Sequence, residues 1–248
     1  MHPMSGVFSR RPFIIVAAAT ALALALTAGS TALALTTPPS SHLVSLGSAG
    51  RSYAALEITT GTPVLHVSVA RLPGTLLRVS TPENAPVRPV LSGSAPIVLS
   101  LAGSASSGHG AAYAVSVVLS SSVVWSLDFA SGTQRTDADL RGGHVGGIAV
   151  TAGSDILDIS LPRPAGTLPF LLAGGVSQFL LSLPGGVPAR VKVGGGASYV
   201  SLDDQDLTGV AGGTVLTPPG WIGAASRFDI DASSGFSRLT VSRWYPHG

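Results

Sequence analysis

From residue 123 onward the chain alternates apolar and polar side chains in short bursts, and a glycine interrupts the bursts at a nearly fixed interval. Gly132, Gly153, Gly175 and Gly196 follow one another at spacings of 21, 22 and 21 residues. Before each stands a two-residue alternation: Leu127/Phe129, Ile148/Val150, Phe170/Leu172 and Val191/Val193. After each comes a second: Leu157, Ile159 and Leu161 match Phe179, Leu181 and Leu183, and Val200 and Leu202 keep the register. Thr136, Ala138 and Leu140 form a weaker copy, and Phe228/Ile230 with Leu239/Val241 flank Gly235 in a last one. Period two places these apolar side chains on one face of a β-strand. Glycine in the connections permits positive φ, so the chain can turn sharply between two strands. Proline after Leu161 and Leu183 ends the second strand, because it cannot donate to a continuing ladder.

One unit therefore reads as strand, glycine turn, strand, proline or glycine turn. It cannot bury its apolar face alone, so successive copies should stack on a common core. The expected architecture is all-β: a single elongated, β-solenoid-like stack of short strands in repeats of about 21 residues, following an N-terminal hydrophobic helix. Stacking in sequence order would set Ile159 beside Leu181 beside Leu202. Pairing each two-strand unit as a hairpin would give an antiparallel meander instead.

Residues 43–122 carry a looser version of the pattern. Leu56-Glu57-Ile58, Gly61 and Leu65 to Val69 echo the unit, while residues 76–79, 97–101 and 113–119 are further strand candidates. Residues 103–110 (GSASSGHG) form a loop by composition. No long linker separates this irregular half from residues 123–244, so one domain is expected.

The first 35 residues obey a different rule. Arg10-Arg11 precede an apolar run, residues 13–26, broken only by Thr20, and Ala32-Leu33-Ala34 fits a small-residue cleavage pattern. Ser9 to Phe13 resembles the twin-arginine export consensus, with Ile14 and Ile15 departing from it. If retained, residues 13–35 would extend about 34 Å as a helix, enough to cross a bilayer. Cleaved signal peptide or membrane anchor, either reading leaves the chain after a short linker (36–42) outside the cytoplasm.

Composition sharpens this picture. The 248 residues include 31 Gly and 18 Pro but only 14 basic and 12 acidic side chains, with 45% hydrophobic residues. That combination argues against disorder and against abundant helix. The net charge of +2 belongs to Arg10 and Arg11, and the other arginines are scattered, so nucleic acid is not an expected partner. There is no cysteine, which excludes disulfides, thiolate metal sites and cysteine nucleophiles.

Chemistry-bearing motifs are scarce. His2, His42, His66, His109, His144 and His247 lack metal-ligand spacing, and His66 reads as an outward strand residue. Asp203-Asp204-Gln205-Asp206 is the one acidic run, but it lacks the alternating oxygen ligands of a calcium loop and reads as a solvated turn. Neither a G-x-S-x-G elbow nor a phosphate-binding glycine loop is present. Glu57 and Glu83, the only glutamates, would have to supply much of any carboxylate pair for glycoside cleavage. No catalytic, cofactor or metal site is expected. Trp125 is expected to cap the end of the stack. Trp221, in the turn-rich Thr217-Pro218-Pro219-Gly220-Trp221, is the candidate contact residue.

The segment Val124 to Phe129, the Leu183-Pro184-Gly185-Gly186-Val187-Pro188 stretch, and Pro219-Gly220-Trp221 followed by Arg227 to Ile230 resemble bacterial envelope proteins with β-strand repeats. These include adhesin-like domains and the C-terminal β-solenoid domains of cell-wall stress-response membrane proteins. The likeness covers residues 43–244, most strongly 123–244, and offers no catalytic residue. It implies an exported, non-enzymatic interaction, adhesin-like or scaffold module whose partner is an envelope component, with the membrane as a second partner if the N-terminal segment is kept. A wall-modifying or carbohydrate-active enzyme on the same architecture, and an accessory sensor of envelope stress, are the competing expectations.

Overall fold

The computed structural model describes residues 42–103 and 113–246. The predicted hydrophobic helix, the cleavage pattern, the 36–41 linker segment and most of the 103–110 loop lie outside the described residues, as do His2, His109 and His247. Among the described residues no helix is long and apolar enough to cross a membrane.

Among the described residues there are nineteen strands. In chain order they are β1 (Leu43–Gly47), β2 (Tyr53–Ile58), β3 (Thr62–Ala70), β4 (Thr75–Ser80), β5 (Arg88–Gly93), β6 (Ile97–Ala102), β7 (Ala114–Ser120), β8 (Val124–Phe129), β9 (Thr133–Asp139) and β10 (His144–Val150). There follow β11 (Ser154–Ser160), β12 (Thr167–Leu172), β13 (Val176–Pro184), β14 (Ala189–Val193), β15 (Ala197–Leu202), β16 (Gln205–Val210), β17 (Thr214–Leu216), β18 (Arg227–Ala232) and β19 (Phe236–Trp244). They form two mixed sheets. The ten-stranded sheet runs β1-β4-β7-β3-β9-β11-β13-β19-β15-β16, and the nine-stranded sheet runs β17-β14-β18-β12-β10-β8-β2-β6-β5.

From β8 to β15 successive strands alternate between the two sheets, so each unit of the sequence repeat contributes one strand to each. We call such a pair a rung. Neighbouring rungs pair in parallel throughout, as in Leu157↔Phe179 and Ile148↔Phe170, which rules out the antiparallel meander. Antiparallel pairing is confined to the ends of the sheets, where β1, β4, β5, β16 and β17 lie. The sheets continue across residue 122: β2 pairs with β8 and β3 with β9.

The period-two side chains face one common core. Leu157, Ile159, Leu161, Phe179, Leu181, Leu183, Val200 and Leu202 are all buried and belong to a single cluster drawn from both sheets. Each contributes about 1.5–3 kcal/mol by leaving water. Trp125 does not cap the stack. It is fully buried on β8, in the middle of the nine-stranded sheet, and its Nε1 donates to the Ser120 carbonyl at 3.0 Å.

Rung order departs from sequence order at both ends. β18 lies between β12 and β14, and β19 between β13 and β15. The ladder is therefore Ile159, Leu181, Val241, Leu202, with Val241 standing where direct succession would have joined Leu181 to Leu202. At the other end β2 and β3 sit inside β6 and β7, next to β8 and β9. The physical reason is that every rung presents the same apolar period and the same parallel edge. Local pattern thus defines a rung without choosing its neighbour, and the 217–226 connection allows the last rung to return into the stack.

Candidate functional site

The turn glycines lie between consecutive strands, as expected, and most serve close backbone approach more than positive φ. Of Gly132, Gly153, Gly175, Gly196 and Gly235, only Gly196 has positive φ (+85°). The others stand close to the next rung's backbone: a Cβ on Gly153 would lie 3.3 Å from the Gly175 oxygen, and one on Gly132 3.6 Å from the Gly153 oxygen. At the adjacent Gly174 and Gly195 a Cβ would overlap the backbone of Ala152 and Gly235 respectively. Small residues keep the turns in register, with Ser154 N–H donating to the Gly175 carbonyl at 3.1 Å and Thr133 N–H to that of Gly153 at 3.2 Å.

Immediately after these turns the period-two alternation breaks. β13 and β19 each begin with a buried residue, then two exposed ones, then a buried one: Val176-Ser177-Gln178-Phe179 and Phe236-Ser237-Arg238-Leu239. The pairing register skips the second residue of each inner-rung strand in the ten-stranded sheet. Thr62↔Thr133 is followed by Val64↔Arg135, and Ser154↔Val176 by Ile156↔Gln178. The skipped residues are Pro63, Gln134, Asp155, Ser177, Ser237 and Ser198, in spatial order along the sheet.

This aligned irregularity opens a groove. It has a volume of about 1020 Å³ and runs across the rungs, floored by Gly61, Gly132, Gly153, Gly175, Gly235 and Gly196. The skipped residues from Gln134 to Ser198 form its polar row, Pro63 adjoins them on β3, and Tyr113, ahead of β7, closes the end beyond β3. Strands recur at about 4.8 Å, so the row is a regular series of small polar groups. The inward hydroxyls beside it are satisfied within the chain. Thr133 Oγ1 meets Thr136 Oγ1 at 2.8 Å and Ser154 Oγ at 3.0 Å, and Thr62 Oγ1 donates to the Val64 carbonyl. The side chains of Gln134, Asp155, Ser177, Ser237 and Ser198 have no hydrogen bond or ion pair among the described residues. The sequence did contain a signal for this row at two of the rungs, the apolar-polar-polar-apolar quartets after Gly175 and Gly235, which a strict period-two reading passes over.

Among the described residues the groove carries one charge, Asp155, and neither Glu57 nor Glu83 lines it. The structure's charged networks lie elsewhere. On the ten-stranded sheet, Arg135 holds Asp137 at 2.8 and 2.9 Å, and His66 Nδ1 stands 3.3 Å from the same carboxylate. Asp158, 3.9 Å from Arg135, has its pKa raised, first by burial and then by the Asp137 charge. Asp139 is held below the usual carboxylate range by its hydrogen bond from Arg141. The acidic run forms the β15–β16 hairpin, where its carboxylates take separate partners. Arg243 grips Asp203 at 2.6 and 2.9 Å, while the Tyr199 hydroxyl donates to Asp206 at 2.7 Å and lowers its pKa. Among the described residues, no three His, Asp or Glu side chains converge as a metal site would require.

Trp221 is placed as an anchor. It is 7% exposed, its Nε1 donates to the Phe228 carbonyl at 2.8 Å, and the guanidinium groups of Arg190 and Arg227 lie 3.8 and 4.6 Å from its ring centre. Arg190 in turn is forked onto Asp229 at 3.0 and 2.6 Å. The indole thus fastens the 217–226 connection to the outer face of the nine-stranded sheet. The exposed apolar side chain of that connection is the next residue, Ile222, at 82%.

No protein-family model matches the sequence, and no curated protein matches it. Among solved structures, a protein of Clostridium sporogenes ATCC 15579 described as a "putative cell adhesion protein" aligns with a TM-score of 0.58, covering 80% of this chain and 97% of its own, at 15% identity. At that identity the likeness shows a shared all-β fold.

Proposed function

We propose that the chain is an exported interaction module of the cell envelope, adhesin-like or scaffolding in role and without enzymatic activity, whose inner rungs form a solenoid-like stack. The groove carries this reading. It is long, open and lined by repeated small polar side chains, and its single carboxylate gives it no partner for acid–base work on a glycosidic bond. The fold shared with a protein described as a putative cell adhesion protein fits the same role. Residues 1–35 supply export, and a membrane tether if they are retained.

The test is capture from envelope fractions by the tagged full chain, alongside incubation of wall polymers with the purified chain. Specific retention of an envelope component, lost when Ser177→Trp fills the groove, is the expected result. Catalytic turnover of a wall polymer would instead establish the enzyme reading.

A further inference from the structure

Building on that reading, we infer that the groove over the glycine turns binds an unbranched, uncharged glycan chain laid across the rungs. The lining chemistry selects this class. Free hydroxyls on Ser177, Ser237 and Ser198, the Gln134 amide and the Asp155 carboxylate offer both donors and acceptors, the complement of sugar hydroxyls. Among the described residues no lysine or arginine lines the groove and Asp155 adds a negative charge, so a polyanion would enter without a lining cation to offset its phosphates, sulfates or carboxylates.

An extended peptide is disfavoured for a different reason. Peptide strands add to unpaired sheet edges, whereas β9, β11, β13 and β19, which cross the groove, are each paired on both sides. Successive pyranose rings of an extended glycan advance by a length comparable to the strand spacing of about 4.8 Å, so each rung could meet one ring. Tyr113 offers an aromatic surface at one end. The volume of about 1020 Å³ accommodates several sugar units.

The experiment is titration calorimetry of the full chain with cello- and chito-oligosaccharides of increasing length, with a sulfated glycan and a serine/glycine-rich peptide as comparators. Binding that tightens with the length of the neutral series is expected. The combined variant Gln134→Ala, Ser177→Ala, Ser237→Ala should weaken it about tenfold or more at unchanged Tm, since these side chains make no hydrogen bond or ion pair among the described residues. Equal binding by that variant, no heat with any neutral oligosaccharide, or preference for the sulfated glycan or the peptide would each overturn the inference. Envelope capture that persists without neutral-glycan binding sinks the inference alone; loss of both sinks the interaction reading with it.

Discussion

The three rungs β8–β9, β10–β11 and β12–β13 stack in the order of the sequence, whereas β18–β19 returns from the end of the chain to lie inside β14–β15. Both regions use the same side-chain grammar. Leu168 and Phe170 of β12 stand opposite Phe228 and Ile230 of β18, and Leu181 of β13 opposite Val241 of β19. The difference is connectivity: glycine-containing turns or short loops join the consecutive rungs, while the returning rung arrives over residues 217–226 and is secured by Trp221. A parallel stack of like rungs therefore leaves stacking order to long-range pairing, where each rung can be seated by any edge of matching register.

The strongest way to break the comparison is to remove the returning rung. Truncation after Thr217 deletes Trp221, Phe228, Ile230, Ala232, Phe236, Leu239 and Val241, all buried. At about 1.5–3 kcal/mol for each large side chain, the loss rivals or exceeds a typical net stability of about 5–15 kcal/mol. Thermal unfolding followed by far-UV circular dichroism should then lose its cooperative transition. A truncated chain that melts like the full one would make β18–β19 an appendage.

Next in size are matched cavities in the two regions. Phe179 lies in the consecutive set, 5.2 Å centre to centre from Phe170, and Phe228 lies in the returning rung; both are fully buried. Phe179→Ala and Phe228→Ala should each cost about 3–5 kcal/mol in urea unfolding. A cost below about 1 kcal/mol for Phe228→Ala alone would show that the returning rung does not share the common core.

The glycines sharpen the comparison further. Gly174→Ala places a methyl into the Ala152 backbone and Gly195→Ala places one into Gly235, so both should destabilise by about 2 kcal/mol or more, one within the consecutive set and one against the returning rung. Gly132→Ala, whose nearest contact would be 3.6 Å, should stay within about 1 kcal/mol. Equal Tm shifts for Gly174→Ala and Gly132→Ala would contradict close rung approach as the reason for glycine.

What the sequence disclosed follows from the range of each interaction. The buried faces of β11, β13 and β15 were legible because period two is local: Leu157, Ile159 and Leu161 announce their own orientation. Rung order was not, since Leu202 meets Val241 rather than Leu181 for reasons that lie dozens of residues away. Trp125 was misplaced for the same reason, as nothing near it states that β2 and β6 lie beyond β8. The groove lay between these cases. Its quartets, such as Val176 to Phe179, were visible, but their alignment into one row required the register.

The smallest expected effect concerns charge on the outer face of the ten-stranded sheet. Asp158 of the consecutive set sits in the row that continues through Leu180 to Thr240, so the returning rung carries no carboxylate at this position. Burial, then repulsion from Asp137, raises the Asp158 pKa, and Arg135 opposes them from 3.9 Å. A raised carboxylate pKa means that the folded chain binds the proton more tightly than the unfolded chain does. Stability from this group is thus greatest below the unfolded pKa and declines as pH rises through the folded one. Asp158→Asn should raise Tm slightly at neutral pH, with the gain fading in acid below the ordinary carboxylate range, and Thr240→Asn should show no such pH-dependent difference. A loss of stability in Asp158→Asn at neutral pH would mean that the attraction of Arg135 outweighs burial, and the charged row would then be a stabilising feature that the returning rung lacks.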